Sequence, residues 1–369
     1  MITELVDTLK REKRLDASGY RSLLECCNAD EISYLHSSAQ ETAIGRFGHR
    51  IYIRGLIEIT NICRNDCLYC GIRKSNRNIS RYWLSKDEVL ARCSFGYERG
   101  FRTFVLQGGE MPDDADSYIE DLCRRIRAGF PDCAITLSLG ERREESYRRF
   151  FEAGATRYLL RHETHNASHY SRLHPAEMSL DKRLHCLETL KSTGYQTGTG
   201  IMVGSPYQTM DNIVEDIVYI GRLQPEMIGL GPFIPHKDTA FSGWYSEHQP
   251  SANAEGMDNY SGRTDLYDRR IDLTMKLISI FRLMFPDALI PSTTALATIS
   301  ADGREKGILA GANVLMPNLS PENIRGDYSL YDGKASSGAE SAEGLDALKT
   351  RIERIGYHIV TDKGDYNRK

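Results

Sequence analysis

Cys63, Cys67 and Cys70 fall within eight residues, in the stretch EITNICRNDCLYCGIRKSNRNISRYWLS from Glu58 to Ser85. Their spacing is C-x3-C-x2-C. Thiolates suit zinc or iron–sulfur clusters. Three of them leave a tetrahedral zinc, or one iron of a cubane cluster, with an open position. A structural zinc site closes with four ligands. The nearest candidates for a fourth are Cys93, inside a helical pattern, and His49, upstream of a strand. Neither is well set to complete the triplet. A cubane with one iron free to chelate amino and carboxylate groups of a small molecule fits better.

A site of this kind needs a scaffold. The chain has 369 residues, 40% of them hydrophobic, enough for a sizeable core. Short apolar runs alternate with amphipathic charged ones from Ile51 onward. The expected strands are IYIRGLIEIT, TFVLQGG, AITLSLG, RYLLRHE, TGTGIMVG, MIGLGPF, ALIPSTT and ANVLMPN. Helical patterns such as SKDEVLARCSFGYERG and MDNIVEDIVYIGRL lie between them. Eight strands alternating with helices predict an α/β fold, a complete (β/α)8 TIM-type barrel; a doubly wound open sheet is the alternative. Residues 1–48 read as an N-terminal helical segment, 49–320 as the barrel and 321–369 as a C-terminal extension. Residues 242–268 are polar and read as a long loop inserted in the barrel. GKASSGAESAEG reads as a mobile link before a last helix, LDALKTRIERIG. In a barrel, the triplet follows the first strand and so sits on the C-terminal rim, where active sites are built.

The charge balance, 47 basic against 51 acidic residues, gives no electrostatic argument for nucleic acid or a membrane surface. No apolar run approaches the roughly 20 residues that span a bilayer. The N-terminus, MITELVDTLKREKRLD, reads as a polar amphipathic helix and not a signal peptide. A cytoplasmic location is expected, with the nine cysteines as thiols or metal ligands and not as disulfides. Cys26 and Cys27 read as core fillers on a helix.

The motif CRNDCLYCGIR, placed after a first βα-type strand, resembles the radical S-adenosylmethionine superfamily. The stretches RYLLRHET, MVGSPYQT, GPFIPHKDT, IPSTTALATI and GANVLMPN resemble in particular the HydE-type radical maturases of FeFe-hydrogenase, with biotin synthase and methylornithine synthase as more distant relatives. The resemblance implies one 4Fe–4S cluster on Cys63, Cys67 and Cys70, and S-adenosyl-L-methionine as cofactor. It implies that Tyr69 packs near the adenine and that Gly108, Gly109 and Glu110 of QGGE face the methionyl end. Ser138 near the rim, Glu163 toward the ribose or methionyl end, Arg183 on the carboxylate and Met202 beside the adenine complete the cofactor set. Arg161, Thr136, Ser138, Thr293, Thr294, Met316 and Tyr331 are expected to line a substrate cavity, with Arg161 a lone cation anchoring an anionic group.

By the same resemblance the substrate is a cysteine-bound iron carbonyl cyanide fragment. The partners are other hydrogenase maturases and a reductant such as flavodoxin or ferredoxin. An amino-acid mutase such as methylornithine synthase is the alternative, and a non-catalytic iron–sulfur scaffold a second. Biotin synthase fits less well, because its auxiliary cluster needs cysteines on barrel strands that this chain lacks. Some HydE-type members carry a second cysteine group near the C-terminus. This chain has no cysteine after Cys186.

Overall fold

A computed structural model of the protein describes residues 1–244 and 266–366. Three helices open the chain: α1 (Ile2–Glu12), α2 (Ala17–Glu25) and α3 (Ala29–Phe47). Asp16 and Asn28 cap the second and third through their side chains, which satisfy free backbone N–H groups at the helix start. Cys26 and Cys27 lie past the end of α2, and Cys27 is exposed, so they do not fill the core as expected.

The expected first strand is two strands. β1 (Arg50–Ile53) and β2 (Gly55–Thr60) flank Arg54. The strands β3 (Thr103–Gly108), β4 (Ala134–Ser138), β5 (Arg157–Leu159), β6 (Gln196–Thr199), β7 (Met202–Val203), β8 (Met227–Ile228) and β9 (Gly231–Pro232) follow. Helices α4 (Lys86–Glu98), α5 (Asp116–Gly129), α6 (Glu144–Glu152), α7 (Ala167–Leu173), α8 (Leu180–Thr193) and α9 (Met210–Leu223) lie between them. Capping boxes at Ser85 and Thr209 set the starts of α4 and α9. Beyond residue 265 come α10 (Leu266–Met284), α11 (Thr294–Ile299), α12 (Gly303–Leu309), β10 (Val314–Leu315), α13 (Leu345–Arg354) and β11 (His358–Val360). Residues 245–265 of the expected polar loop lie outside the described residues, and its last three positions begin α10.

A parallel ladder runs β2-β3-β4-β5-β6-β8. The seventh and eighth expected strands join it through isolated parallel bridges, Met227 to Leu289, Pro291 to Val314 and Asn318 to Leu56. The result is an α/β fold around a parallel sheet. Successive side chains on a strand point to opposite faces. On β3, Phe104 and Leu106 are fully buried in the main hydrophobic core, while Val105 and Gln107 line a cavity on the other side. β4 is in register, with Val105 opposite Thr136 and Gln107 opposite Ser138. Thr136 and Ser138 therefore share the cavity-side face.

The C-terminal extension returns to the start of the fold. β11 pairs with β1 from Arg50–His358 to Tyr52–Val360. The tail then covers the N-terminal end of the sheet. Arg157, fully buried on β5, donates from Nη2 to the carbonyls of Lys363 and Gly364 at 3.0 and 3.1 Å and to Asp365 at 2.6 Å. The stretch expected as a mobile link is anchored. Glu340 within it is buried and paired with the buried Arg304, and Asn318 N–H donates to the Glu340 carbonyl.

Candidate active site

The loop after β2 carries the cysteine triplet and is held from many sides. Cys70 N–H donates to Cys67 O at 3.2 Å, and Arg73 N–H to Cys70 O at 3.1 Å. Arg73 grips Asp66 in a two-bonded ion pair at 2.7 and 3.0 Å. That partner is the main reason why the Asp66 carboxyl stays well below the usual carboxylate range. Arg81 donates to four carbonyls of the same loop, those of Asn61, Ile72, Arg73 and Asn76, at 2.5 to 3.1 Å. Gly71 packs where a Cβ would collide with the Ser329 carbonyl and the His236 ring. Gly109 on the next loop leaves equally little room, since a Cβ there would lie 2.8 Å from Cys63 Cβ.

Burial pushes all three thiols up, Cys70 to about 12, and the charges of neighbouring cysteines add to this at Cys67 and Cys70. The three sulfurs thus share one electrostatic neighbourhood. Among the described residues, no group of three His, Cys, Asp or Glu is placed to hold a single metal ion. A mononuclear zinc site requires ligands that converge on one point. A cubane does not, because each cysteine holds a different iron. Bound iron would also reverse the rise of the thiols, since a coordinating thiol is deprotonated outright. The donor set and its burial fit a cluster.

Cys63 and Cys70 line a cavity of about 330 Å³. Cys67 is not in its wall; its Sγ lies 3.7 Å from Met178 Sδ. The cavity brings together Tyr69, Gly108, Gly109, Glu110, Ser138, Glu163, Arg183 and Met202 of the expected cofactor set. Arg161, Thr293, Thr294, Met316 and Tyr331 of the expected substrate set line it too. Thr136 does not, although it shares the face of Ser138. Its buried hydroxyl has no partner, and neither has that of Thr293. Orphaned buried hydroxyls are costly and ask for a ligand or water. A larger polar groove, about 980 Å³, lies on the outer side of the cluster loop and contains none of the three cysteines.

The charged groups are organised in pairs. Glu110 accepts from Arg64 Nε at 2.9 Å and from the Glu141 N–H at 2.8 Å. Arg183 donates to Glu141 Oε1 and to the Arg161 carbonyl, both at 2.7 Å. Arg161 is not the lone cation expected from the sequence: it lies 3.2 Å from Glu163 Oε2 and donates to the Ile201 carbonyl. Its side chain stays about a third exposed (31%) and its Nε is unpartnered, so a donor remains. Glu163 has φ +66°, a left-handed conformation that costs a non-glycine residue of order 1–3 kcal/mol. Tyr69 meets His174 at 3.3 Å through its hydroxyl, and His174 stacks on Tyr170.

Sequence reasoning missed two charged residues of this region. Lys334, from the expected link, lines the cavity. Glu58, on the cavity-side face of β2 with Leu56, is fully buried and paired with it. An acidic residue at an inward-alternating position of an otherwise apolar strand was the available signal.

A cavity with two of the cysteines in its wall, paired charges and an unpartnered buried hydroxyl fits an enzyme that handles a small molecule beside a cluster. The family model of the radical SAM superfamily matches residues 57–220. The FeFe hydrogenase maturase subunit HydE of Thermotoga maritima is 40% identical over 321 residues, which cover 87% of this chain and 85% of that protein. The chain belongs to the radical SAM superfamily, as a radical SAM enzyme homologous to HydE. Its family implies a 4Fe–4S cluster and S-adenosylmethionine. The 3-methylornithine synthase of Methanosarcina barkeri is 26% identical over 348 residues, covering 93% of this chain and 90% of that protein. In fold, the crystal structure of methylornithine synthase (PylB) is similar with a TM-score of 0.78 at 22% identity, covering 96% of this chain and 97% of that one. That of the maturase HydG follows at 0.76 and 19%, covering 99% and 77%. No helix among the described residues is long and apolar enough to cross a membrane.

Proposed function

We propose that this protein acts as a HydE-type maturase, with one 4Fe–4S cluster held by Cys63, Cys67 and Cys70. The observation that carries the reading is the cavity itself, with two of the three cysteines in its wall and paired guanidinium groups and free hydroxyls around it. When bound, the cluster and S-adenosylmethionine supply a 5′-deoxyadenosyl radical by one-electron reductive cleavage. The chain's own residues bind and orient. Arg183, steadied by Glu141, offers its guanidinium to the cofactor carboxylate, the planar match for that group. Glu110, Glu163 and the backbone at Gly108 and Gly109 take the ammonium and ribose, with Tyr69, Ser138 and Met202 beside them. Arg161, Ser138, Thr293, Thr294, Met316 and Tyr331, which line the cavity, hold the substrate and keep water out, with Thr136 on the same strand face as Ser138.

The sheet is read as a complete eight-stranded barrel, supported by the bridges that join residues 289–291 and 314–318 to the ladder, with 1–48 and 321–369 as attachments. The substrate on this reading is a cysteine-bound iron carbonyl cyanide fragment supplied by a partner maturase, and the product a precursor of the hydrogenase di-iron centre. A flavodoxin or ferredoxin supplies the electron, in the cytoplasm. The test is to incubate the reconstituted, reduced enzyme with the synthetic iron–cysteine fragment and trap the radical by electron spin resonance. A substrate-derived iron-centred signal is expected. Cofactor cleavage with no change in the fragment refutes the substrate. An amino-acid mutase is the second reading, favoured by the buried Glu58–Lys334 pair, and free amino acids in the same assay decide between the two.

A further inference from the structure

Lys334 Nζ donates to Glu58 Oε1 and, at 3.1 Å, to the Tyr328 carbonyl, and it lies 4.9 Å from the centre of the Tyr328 ring. An ammonium has three donors, and these two bonds leave one over. Glu58 is satisfied more fully. Its second oxygen accepts from Asn318 Nδ2 at 3.0 Å, with Ser320 Oγ at 3.5 Å. Lys334 lines the cavity and Glu58 does not, so the cationic member of the pair is the one within reach of a ligand.

Such a pair is a poor stabiliser. Two charges removed from water seldom gain more than apolar residues of the same volume would. Its position therefore asks for another reason. The other cations of the wall have protein acceptors as well, Arg161 in Glu163 and Ile201, Arg183 in Glu141 and the Arg161 carbonyl; Arg183 is taken by the cofactor on the reading above, and the Arg161 side chain is 31% exposed against 9% for Lys334. Lys334 also has a distinct address. It belongs to the segment that crosses the cluster loop, where Gly71 N–H donates to Leu330 O and Asp332 N–H to Pro235 O.

We propose that Lys334 binds the carboxylate of an amino-acid-like substrate, with Glu58 holding the amine in place. This rests on the reading of the site as a radical enzyme for a small molecule. It is indifferent to whether that molecule is a cysteine-bound iron fragment or a free amino acid, since each carries the carboxylate.

The test uses the cluster-loaded enzyme with S-adenosylmethionine and two probes, L-cysteine and cysteamine, which differ by the carboxylate alone. Calorimetry should give L-cysteine at least about a tenfold advantage, the scale of one charge-assisted hydrogen bond. Lys334→Met should remove that advantage and move cysteamine by less than about twofold. Since Lys334→Met leaves Glu58 buried without its cation, the double variant Glu58→Gln/Lys334→Met is measured beside it and should give the same loss. Undetectable L-cysteine binding, equal affinities in the wild type, or a preference that survives either variant would overturn the proposal. So would loss of fold in both variants, which assigns the pair to stability. Failure of the wider reading looks different: the wild type would leave the iron fragment unchanged while still preferring the carboxylate.

Discussion

Arg183 is bonded on two sides before any ligand arrives, to Glu141 and to the carbonyl of Arg161. That arrangement fixes the guanidinium in advance, so little side-chain freedom is lost on binding. Arg183→Ala should weaken S-adenosylmethionine by roughly 1.5–3 kcal/mol, about 10- to 150-fold in the dissociation constant, without loss of iron. Calorimetry on the reconstituted protein reads this directly, and an unchanged constant removes Arg183 from the cofactor site. The cysteines answer to a different measurement. Changing any one of Cys63, Cys67 or Cys70 to Ala should abolish cofactor cleavage, and the triple variant should bind almost no iron against about four per chain in the wild type. These residues were legible in the sequence because their chemistry is local: three thiols at fixed spacing need no knowledge of the fold. Arg161 was legible as a member of the site but not in its pairing. Its partner Glu163 sits two residues along a backbone that turns left-handed, and no pattern of residue types announces that turn.

The cluster loop is an element built by clamps. Arg81 gathers four of its carbonyls, and Gly71 lets the neighbouring segment press against it. Gly71→Ala should push the loop off the Ser329 carbonyl. The expected outcome is a folded protein that reconstitutes with less iron and loses it faster to a chelator, followed by visible absorbance. Full cluster retention would show that the segment 328–334 yields at no cost. The strands were legible for a related reason. Each is a short apolar run between amphipathic, charged stretches, and that rhythm is local. What stayed hidden were pairings between distant stretches. β11 joins β1 across about 300 residues, Lys334 reaches Glu58 across 276, and Glu340 reaches Arg304 from a stretch rich in Ser, Ala and Gly. Composition made that stretch look like a tether, and only the tertiary contacts make it a wall.

The whole molecule keeps several imidazoles neutral by burying them. Burial lowers His36 and His169 to about 4 and His174 to about 3. His36 bonds Ser279 Oγ, His169 the Pro206 carbonyl, and His174 the Tyr170 carbonyl and the Tyr69 hydroxyl. The unfolded chain takes up these protons near pH 6.5, whereas the native state resists until about pH 4 or below. The unfolded state then binds more protons, so stability falls as pH drops through that window. Each histidine contributes up to about 1.4 kcal/mol per pH unit there. Denaturant midpoints should be flat in these groups above about pH 7 and decline steadily between roughly pH 6.5 and 4. His174→Gln should make the decline shallower, and an identical slope would show that His174 is protonated at no cost in the native protein.

The tail that ties Asp365 to Arg157 covers the N-terminal end of the sheet, and the cluster loop stands at the other end. The tail is thus a stopper held by one fully buried guanidinium. Without Asp365 that cation keeps only uncharged acceptors, and a buried charge that loses its ionic partner is costly. Asp365→Ala should therefore lower the denaturant midpoint of the whole protein while leaving cluster reconstitution unchanged. A variant lacking residues 361–369 tests the stopper. It should unfold at lower denaturant than the full chain, and an unchanged midpoint would show that the tail adds nothing to stability.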